Sequence, residues 1–295
     1  MRLEEFEAGS PQRGQVKVKV KFAAINPIDW RLRKGELKMI TGKSFPRAMG
    51  SDFAGTVVSV GEGVTRCKPG DAVFGLARLK ESGALGEVVV TTENFVARKP
   101  DAVSFEAASC LGTPGVTAWN GIVEKGRVKS GHRVFINGCV GAVGAAAVQI
   151  ARMHGATVAG SCSGESVQYA KELGVYPIFD YRSTDLAAIG EHYDIVYDAA
   201  GTLPVTVGLN LLSPDGVYLD IVPTPMKFLR ALFNRKLKPI ICTPKPLIMD
   251  ELSSAAASGK LGLRLGKTVT LDRAIGFIAS LENGQKINGK GLVEV

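Results

Sequence analysis

The sequence predicts an α/β protein that combines a strand-rich β domain with a doubly wound parallel sheet. Near the N-terminus, Val16, Val18 and Val20 alternate with lysines, and this two-residue period is typical of a strand with one solvent-exposed face. From about Gly112 onward, short apolar strands alternate with helical stretches, which is the pattern of βαβ units. A glycine-rich turn joins one of these strands to its helix. Together these observations predict two structurally different parts.

Glycine and proline turns divide the first part into several short strands. Turns at residues 61–63 and 69–70 contain Gly-Glu-Gly and Pro-Gly, which are strong chain-reversal signals. The predicted strands of this part are residues 16–22, 56–60 and 72–74, with another pair at 87–90 and 95–97.

The second part is predicted to carry a parallel sheet. Its expected strands are residues 134–136, 157–160, 177–179, 194–197 and 216–222, with helices at 141–153 and 166–173. Towards the C-terminus, helices at 247–257 and 271–281 precede a final strand at 291–295. Strands separated by helices at this spacing favour crossover connections within one sheet.

Composition excludes several classes of protein. The chain has 295 residues, 45% of them hydrophobic and 22% charged, so it is neither disordered nor fibrous. A formal net charge of +8 is a mild field, which favours a solvated basic surface over a nucleic-acid footprint. The five cysteines and three histidines are scattered, which argues against a disulfide framework and a metal site. We expect a cytoplasmic protein without a transmembrane helix.

The clearest functional signal is the turn after the strand at 134–136. It reads Asn-Gly-Cys-Val-Gly-Ala-Val-Gly from residue 137, close to the G-x-G-x-x-G pattern except that Cys139 replaces the first glycine. Such turns let a pyrophosphate approach the backbone at a helix N-terminus. A tight turn without a ligand is the alternative. The predicted cofactor contacts here are Gly138, Val140, Gly141, Ala142, Val143 and Gly144.

The next strand indicates which dinucleotide binds. It ends with Ser161 and Ser163, and its first carboxylate is Glu165, so we expect no carboxylate placed to repel a 2′-phosphate. Tyr181 and Arg182 follow the neighbouring strand, and an arginine there accommodates NADP in such folds. A surface arginine is the alternative. The sequence therefore predicts NADPH rather than NADH, with these serines, the tyrosine and the arginine as contacts.

Several stretches resemble the medium-chain dehydrogenase/reductase superfamily, specifically its zinc-free quinone oxidoreductase-like branch. They span nearly the whole chain in the family's order. The stretches are residues 26–30, 50–57, 114–119, 137–144, 198–201 and 289–293.

This resemblance implies a GroES-like, partly open β-barrel domain at residues 1–112 with 244–295, and a Rossmann domain at 113–243. It also implies a cleft between the domains where nicotinamide meets substrate, and a homodimer. Further cofactor contacts are expected from Ala199, Ala200, Gly201 and Ile221. The family usually has another hairpin ahead of Arg2, so this chain is expected to begin late.

Departures from the zinc enzymes of the superfamily define the implied chemistry. Those enzymes carry cysteine where Asn26 stands and a His-Glu pair where Ser51 and Asp52 stand, and their four-cysteine lobe is missing from residues 76–86. We expect no metal, and hydride transfer from NADPH to a quinone or an α,β-unsaturated ketone or aldehyde. Asn26 would donate a hydrogen bond to substrate or nicotinamide. Thr117, at the start of a linker helix, would hold the nicotinamide, and Trp30 would line an apolar pocket.

Other interpretations of the same residues remain open. Asn26 is also typical of a turn, Trp30 of core packing, and Cys139 of either a redox thiol or a small packing residue. Asp29 and Asp52 are candidates for an acid pair. A non-catalytic NADPH sensor or RNA-binding protein is the alternative function, although basic residues do not alternate with aromatic ones.

Residues 226–238 predict a basic amphipathic helix. This stretch holds five lysines and arginines and no acid, a composition typical of helices that lie weakly on anionic membranes. The alternative is a surface helix whose apolar face packs on the sheet.

Overall fold

The computed structural model describes residues 1–42, 47–80, 83–222 and 224–295. Residues 81 and 82, within the 76–86 stretch discussed above, lie outside this part. In chain order, the strands of the described residues are β1 (Gln15–Ala24), β2 (Asp52–Val60), β3 (Ala72–Leu76), β4 (Val88–Thr92), β5 (Val96–Arg98), β6 (Arg133–Asn137), β7 (Thr157–Cys162), β8 (Ile178–Asp180), β9 (Tyr193–Asp198), β10 (Leu212–Asp220), β11 (Leu237–Pro239), β12 (Leu265–Thr270) and β13 (Lys290–Glu294).

Helices connect these strands. They are α1 (Pro27–Arg33), α2 (Lys38–Thr41), α3 (Phe105–Ser109), α4 (Gly112–Trp119), α5 (Ala142–Met153), α6 (Val167–Glu172), α7 (Val205–Asn210), α8 (Pro225–Phe233), α9 (Pro246–Ala257) and α10 (Ala274–Glu282). The segment Asn120–Lys125 continues α4 as a π-helical turn. No helix in the described ranges is both long and apolar enough to cross a membrane.

The first compact unit comprises Met1–Thr113 and Pro244–Val295. Its sheet has the order β12-β13-β1-β2-β3-β5, and β4 pairs with β1. The valines at 16, 18 and 20 on β1 are at most 2% exposed, and each buried valine stabilises the fold by about 2 kcal/mol. Because β13 pairs with β1, both ends of the chain build this β domain, as the GroES-like prediction requires.

The second compact unit comprises Pro114–Thr243. Its six strands are all parallel, in the order β11-β10-β9-β6-β7-β8. The strand pattern predicted for this part is confirmed, with ends shifted by a few residues. The order reverses between β6 and β9, because the chain first builds outward through β7 and β8 and then returns to the other side of β6.

Three local predictions need correction. The strands predicted at 87–90 and 95–97 form, but β4 pairs with β1 and β5 with β3, so they do not pair with each other. The alternative interpretation of Asn26 as the start of a turn is wrong, because Asn26 precedes helix α1 and Pro27 suits the first helical position. The helix predicted at 226–238 ends at Phe233, and residues 237–239 form strand β11 instead.

Candidate active site

The glycine turn lies between β6 and α5, at the carboxyl end of the parallel sheet. Gly138 has φ 74°, and a Cβ there would lie 2.8 Å from the Cβ of Ala200. At Gly144, a Cβ would lie 2.1 Å from the carbonyl oxygen of Gly138. Gly141 precedes the first residue of α5. Any side chain at Gly138 or Gly144 would push the turn apart. The turn leads directly into α5, and the unpaired backbone N–H groups of a helix N-terminus are the groups that can hold a phosphate.

This turn occupies the point where the strand order reverses. In open parallel sheets the crevice beyond the carboxyl ends of the strands, at such a reversal, is the usual ligand site. Gly138 follows β6 and Ala200 follows β9, and the two residues meet across this point. The sequence-predicted contacts after β6 and β9 are therefore brought together.

Asp198, at the end of β9, holds the loop of Ala199–Gly201 in place. Its carboxylate accepts hydrogen bonds from the backbone N–H groups of Gly201 (2.9 Å) and Leu203 (3.0 Å) and from Asn137 Nδ2 (2.7 Å). Burial raises the pKa of this carboxyl group above its ordinary value. The backbone N–H of Ile221 approaches the Asp198 carbonyl at 3.4 Å, which places Ile221 beside the same loop.

Contrary to the sequence prediction, Ser161 is not positioned to contact a 2′-phosphate. Its side chain is fully buried, and its hydroxyl donates to Asn137 Oδ1 at 2.6 Å. Its carbonyl accepts from the backbone N–H groups of Gly138 and Cys139, each at 3.0 Å. Ser161 therefore supports the glycine turn from beneath, and its hydroxyl hydrogen is not available to a phosphate.

The other predicted 2′-phosphate contacts lie at the exposed end of the β7 and β8 strands. Arg182 pairs with Glu165 at 3.3 Å, and both side chains are largely exposed. The Arg182 guanidinium lies 5.9 Å from the Tyr181 ring centre. Ser163, two residues before Glu165, is half-buried and its hydroxyl contacts that of Ser166 at 3.2 Å.

The expectation that no carboxylate approaches this edge is wrong. Glu165 is held there by Arg182, and a Cβ on Gly164 would lie 2.7 Å from Asp180 Oδ2. The exposed Arg182–Glu165 pair is worth little free energy in water. An incoming 2′-phosphate would therefore compete with Glu165 for the guanidinium at low energetic cost.

The sequence predicts Thr117 at the start of a helix, but it lies inside α4. Its carbonyl accepts a hydrogen bond of 3.0 Å from the hydroxyl of Tyr197, which is fully buried on β9. A Cβ on Gly121 would lie 2.8 Å from the same tyrosine ring. Burial raises the pKa of Tyr197 well above its ordinary value. Tyr197 fixes Thr117 against the sheet, a role that no pattern in the sequence indicates.

In the first unit, Asn26 is the centre of a buried polar network. Its Nδ2 donates to Asp52 Oδ2 at 2.9 Å and to the Ala24 carbonyl at 3.2 Å, while its Oδ1 accepts from Lys290 Nζ at 2.6 Å. Both amide hydrogens of Asn26 are thus engaged within the protein. The predicted hydrogen bond from Asn26 to a substrate is not compatible with this arrangement.

Asp29 and Asp52 lie on either side of Asn26, but each carboxylate has its own donors. Asp29 accepts from the Asn26 backbone N–H at 2.8 Å and from the Ser51 hydroxyl at 2.7 Å. Asp52 accepts from the backbone N–H and the hydroxyl of Thr113 at 2.8 and 2.5 Å. Burial raises the pKa of Asp29 to about 6, and it also raises the pKa of Asp52.

Trp30 and Cys139 are both packed side chains. Trp30, on α1, is partly buried against the apolar core of the first unit. Cys139 is fully buried, and a hydrogen bond between its thiol and Cys162, together with burial, raises its pKa far above the ordinary value. A buried thiol of this kind is a poor nucleophile, which favours packing over redox chemistry at Cys139.

The residues at the expected zinc positions do not suit that metal. An amide, a hydroxyl and a carboxylate stand where the zinc enzymes carry cysteine, histidine and glutamate, and the Lys290 ammonium lies against the amide oxygen. Zinc prefers thiolate and imidazole ligands. Within the described ranges, no group of three or more His, Cys, Asp or Glu side chains is arranged to hold a metal ion.

Comparisons with known proteins agree with both halves of this description. Residues 12–101 match the alcohol dehydrogenase GroES-like domain family, and residues 142–221 match the zinc-binding dehydrogenase family. The chloroplast envelope quinone oxidoreductase homolog of Arabidopsis thaliana is 28% identical over 300 residues, covering 97% of this chain and 91% of that protein. The 2-methylene-furan-3-one reductase of Solanum lycopersicum is 31% identical over 278 residues, covering 86% and 71%. The solved quinone oxidoreductase from Coxiella burnetii is 26% identical, with a TM-score of 0.89 and coverage of 100% and 94%.

Proposed function

This chain belongs to the medium-chain dehydrogenase/reductase superfamily, and on that premise we propose that it is an NADPH-dependent, zinc-independent reductase. Its acceptor is a quinone or an α,β-unsaturated ketone or aldehyde. The observation that carries this proposal is the glycine turn at the reversal of the strand order, where Gly138 and Gly144 leave no room for a side chain. The names of the relatives, quinone oxidoreductase homolog and 2-methylene-furan-3-one reductase, support the acceptor class.

We assign the cofactor to the second unit and the substrate to the first. The N-terminus of α5 and the backbone of residues 138–144 would hold the pyrophosphate. The loop of Ala199–Gly201 and Ile221 would line the nicotinamide side. When bound, NADPH supplies a hydride. The protein residues then need to orient the acceptor and to place donors near the oxygen on which charge develops.

The choice of NADPH over NADH depends on Arg182 in this proposal. The guanidinium is exposed and its partner Glu165 is more exposed still, so a 2′-phosphate gains a charge-assisted contact by replacing a weak pair. Ser163 and Tyr181 would complete this end of the site. The nearby carboxylates of Glu165 and Asp180 oppose the phosphate, which makes Arg182 the deciding residue.

Zinc independence is supported by the donor set of the first unit. Asn26 and Ser51 are not zinc ligands, and the ammonium of Lys290 already supplies a positive charge beside the buried carboxylates. Quinones and conjugated carbonyls accept hydride without a strong Lewis acid, because the negative charge spreads onto oxygen. We retain Trp30 and Thr117 as catalytic candidates and assign Asn26 a positioning role.

A panel of acceptors tests the proposal. NADPH and NADH consumption is followed with enones, enals, quinones and simple alcohols, each with and without a chelator. We expect turnover with at least one enone, enal or quinone, unchanged by the chelator, and none with alcohols. Loss of activity on chelation contradicts zinc independence. Tight NADPH binding without any turnover, together with salt-dependent RNA retention, would instead favour the non-catalytic alternative.

A weak association with anionic membranes is a separate part of the proposal. None of the residues of α8 is buried. Ala231 packs against the core of the second unit, but Leu232 and Phe233 are 77% and 86% exposed, so this part of the apolar face does not pack on the sheet. Leu232 and Phe233 lie close in sequence to the cations Arg230, Lys236 and Lys238. Exposed apolar side chains beside positive charges are suited to binding an anionic lipid layer.

Vesicle sedimentation at low salt tests this association for a protein that we propose to be cytoplasmic. We expect vesicles rich in phosphatidylserine to retain the wild type, and a Leu232→Ser/Phe233→Ser variant to remain in solution. Leu247→Ser on α9, which removes another exposed apolar side chain, is the matched control. Light scattering of the same variants tests the proposed homodimer; a change to monomer on α8 substitution would assign this face to a second copy of the chain.

A further inference from the structure

Among the described residues of the first unit, the ammonium group of Lys290 on the last strand is buried. The side chain is only 6% exposed, and lysine is almost never buried unless its charge is paired. Its Nζ donates to the carbonyl of Ile25 at 2.7 Å and to Asn26 Oδ1 at 2.6 Å. Strand β13 therefore holds Ile25 and Asn26, the two residues that link β1 to α1.

The hydrogen bonds continue in a fixed direction from this ammonium. Asn26 Nδ2 donates to Asp52 Oδ2, and Asp52 Oδ1 accepts from Thr113. An ammonium can only donate and a carboxylate can only accept. With Lys290 on one side and Asp52 on the other, the amide of Asn26 therefore has one favourable orientation.

We infer that Lys290 is a positioning residue for the proposed reductase, acting through Asn26 to fix the start of α1 and hence the place of Trp30. Asn26 immediately precedes α1, and Trp30 is the fourth residue of that helix. Lys290 also places a positive charge beside the buried carboxylates of Asp29 and Asp52, whose electrostatic interaction with it favours their ionised forms. This inference rests on the proposed function for the activity that it affects.

Lys290→Met tests the inference, because it keeps the length of the side chain and removes the ammonium. Lys286→Met is the matched control, since Lys286 is exposed on the same segment. With the best acceptor from the panel, we expect kcat of Lys290→Met to fall about tenfold or more. The NADPH dissociation constant should stay within about twofold, because the turn that binds it lies in the other unit. Lys286→Met should behave as wild type.

A double-mutant cycle distinguishes positioning from general support of the fold. If Lys290 acts through Asn26, the effect of Lys290→Met on kcat should shrink to about twofold or less in an Asn26→Ala background. The same cycle measured on urea unfolding should show coupling of about tenfold in the unfolding equilibrium constant. The inference would be overturned if the effects of the two substitutions were independent in both kcat and the unfolding equilibrium constant. A Lys290→Met variant with wild-type kcat would also overturn it.

Lys290→Arg covers the case in which the methionine variant does not fold. It keeps a cation and its donors, so we expect kcat within about fivefold of wild type; a folded arginine variant as inactive as Asn26→Ala would overturn the inference. A wild-type chain that reduces no acceptor overturns the proposed function instead. The two failures are therefore distinguishable.

Discussion

The two compact units carry candidate functional residues of opposite kinds, which we call the backbone half (in the second unit) and the side-chain half (in the first unit). In the second unit, the turn of residues 138–144 presents backbone groups, and nothing larger than glycine fits at Gly138 or Gly144. In the first unit, the candidate residues are side chains: Asn26, Asp52 and Lys290 form a buried, charged and hydrogen-bonded network. The backbone site depends on residues that are adjacent in the sequence. The side-chain network brings together residues from both ends of the chain.

This difference has a consequence for how each half responds to its surroundings. A neutral backbone turn is insensitive to pH and responds mainly to steric change. A network of buried carboxylates responds to pH, since burial raises the pKa of both Asp29 and Asp52.

Asp29→Asn should change the pH dependence of stability. The folded protein holds a proton on Asp29 up to about pH 6, whereas the unfolded chain loses it near 3.8, so ionisation of Asp29 lowers stability as pH rises through this window. Between pH 3 and 7.5, the wild type should lose about 3 kcal/mol of unfolding free energy relative to the variant. Urea unfolding across this range measures it, with the exposed Asp101→Asn as control. Parallel curves for wild type and Asp29→Asn would contradict the prediction.

Gly144→Ala should damage the backbone half by steric means alone. The new Cβ would lie 2.1 Å from the Gly138 carbonyl oxygen, so the turn must open. We expect NADPH to bind about 100-fold more weakly, a loss of about 2.7 kcal/mol, in a fluorescence titration. Gly190→Ala adds the same methyl group where no atom lies within 4 Å and should bind normally. If the two variants bind NADPH with equal affinity, the glycine turn is not part of the cofactor site.

Arg182→Ala should affect one nucleotide and not the other. Loss of the guanidinium should weaken NADPH binding about tenfold and leave NADH unchanged, because only the former carries a 2′-phosphate. Glu165→Gln frees the same guanidinium and should strengthen NADPH binding slightly. If Arg182→Ala weakens both nucleotides alike, Arg182 is not the determinant of cofactor choice.

Tyr197→Phe should have the smallest effect of the four. It removes the hydroxyl that donates to the Thr117 carbonyl, which costs about 1 kcal/mol of stability. Tyr218→Phe removes a similar buried bond, to the Leu203 carbonyl, and should cost about as much. Only the Tyr197 variant should also lower kcat/KM, because only it loosens Thr117. An equal loss of kcat/KM in both variants would reduce the role of Tyr197 to stability.

The local structure of the backbone half can be predicted from the sequence. The β6–turn–α5 unit and its glycines are contiguous, and their pattern reflects a local steric requirement. The alternation of Val16, Val18 and Val20 likewise predicted β1, because one face of that strand is buried. Strand partners were less predictable: β4 and β5 follow each other in the chain but join different neighbours.

The side-chain half could not be predicted in the same way. The sequence indicates Asn26 as a candidate, but its amide donates to Asp52, 26 residues away, and accepts from Lys290, 264 residues away. Ser161 was expected at the phosphate, yet its hydroxyl faces Asn137 in the interior. Alternation along a strand predicts which residues share a face, but the partner of a buried polar group is decided by packing.

Deuterium transfer tests the central claim most directly. The metal-stripped protein is incubated with an enone and NADPH deuterated at the transferring position, and the product is analysed by mass spectrometry and NMR. The proposed function predicts one deuterium on the β-carbon of the saturated ketone, at a rate unchanged by the chelator. Deuterium at the carbonyl carbon, or turnover only after zinc is restored, would contradict it.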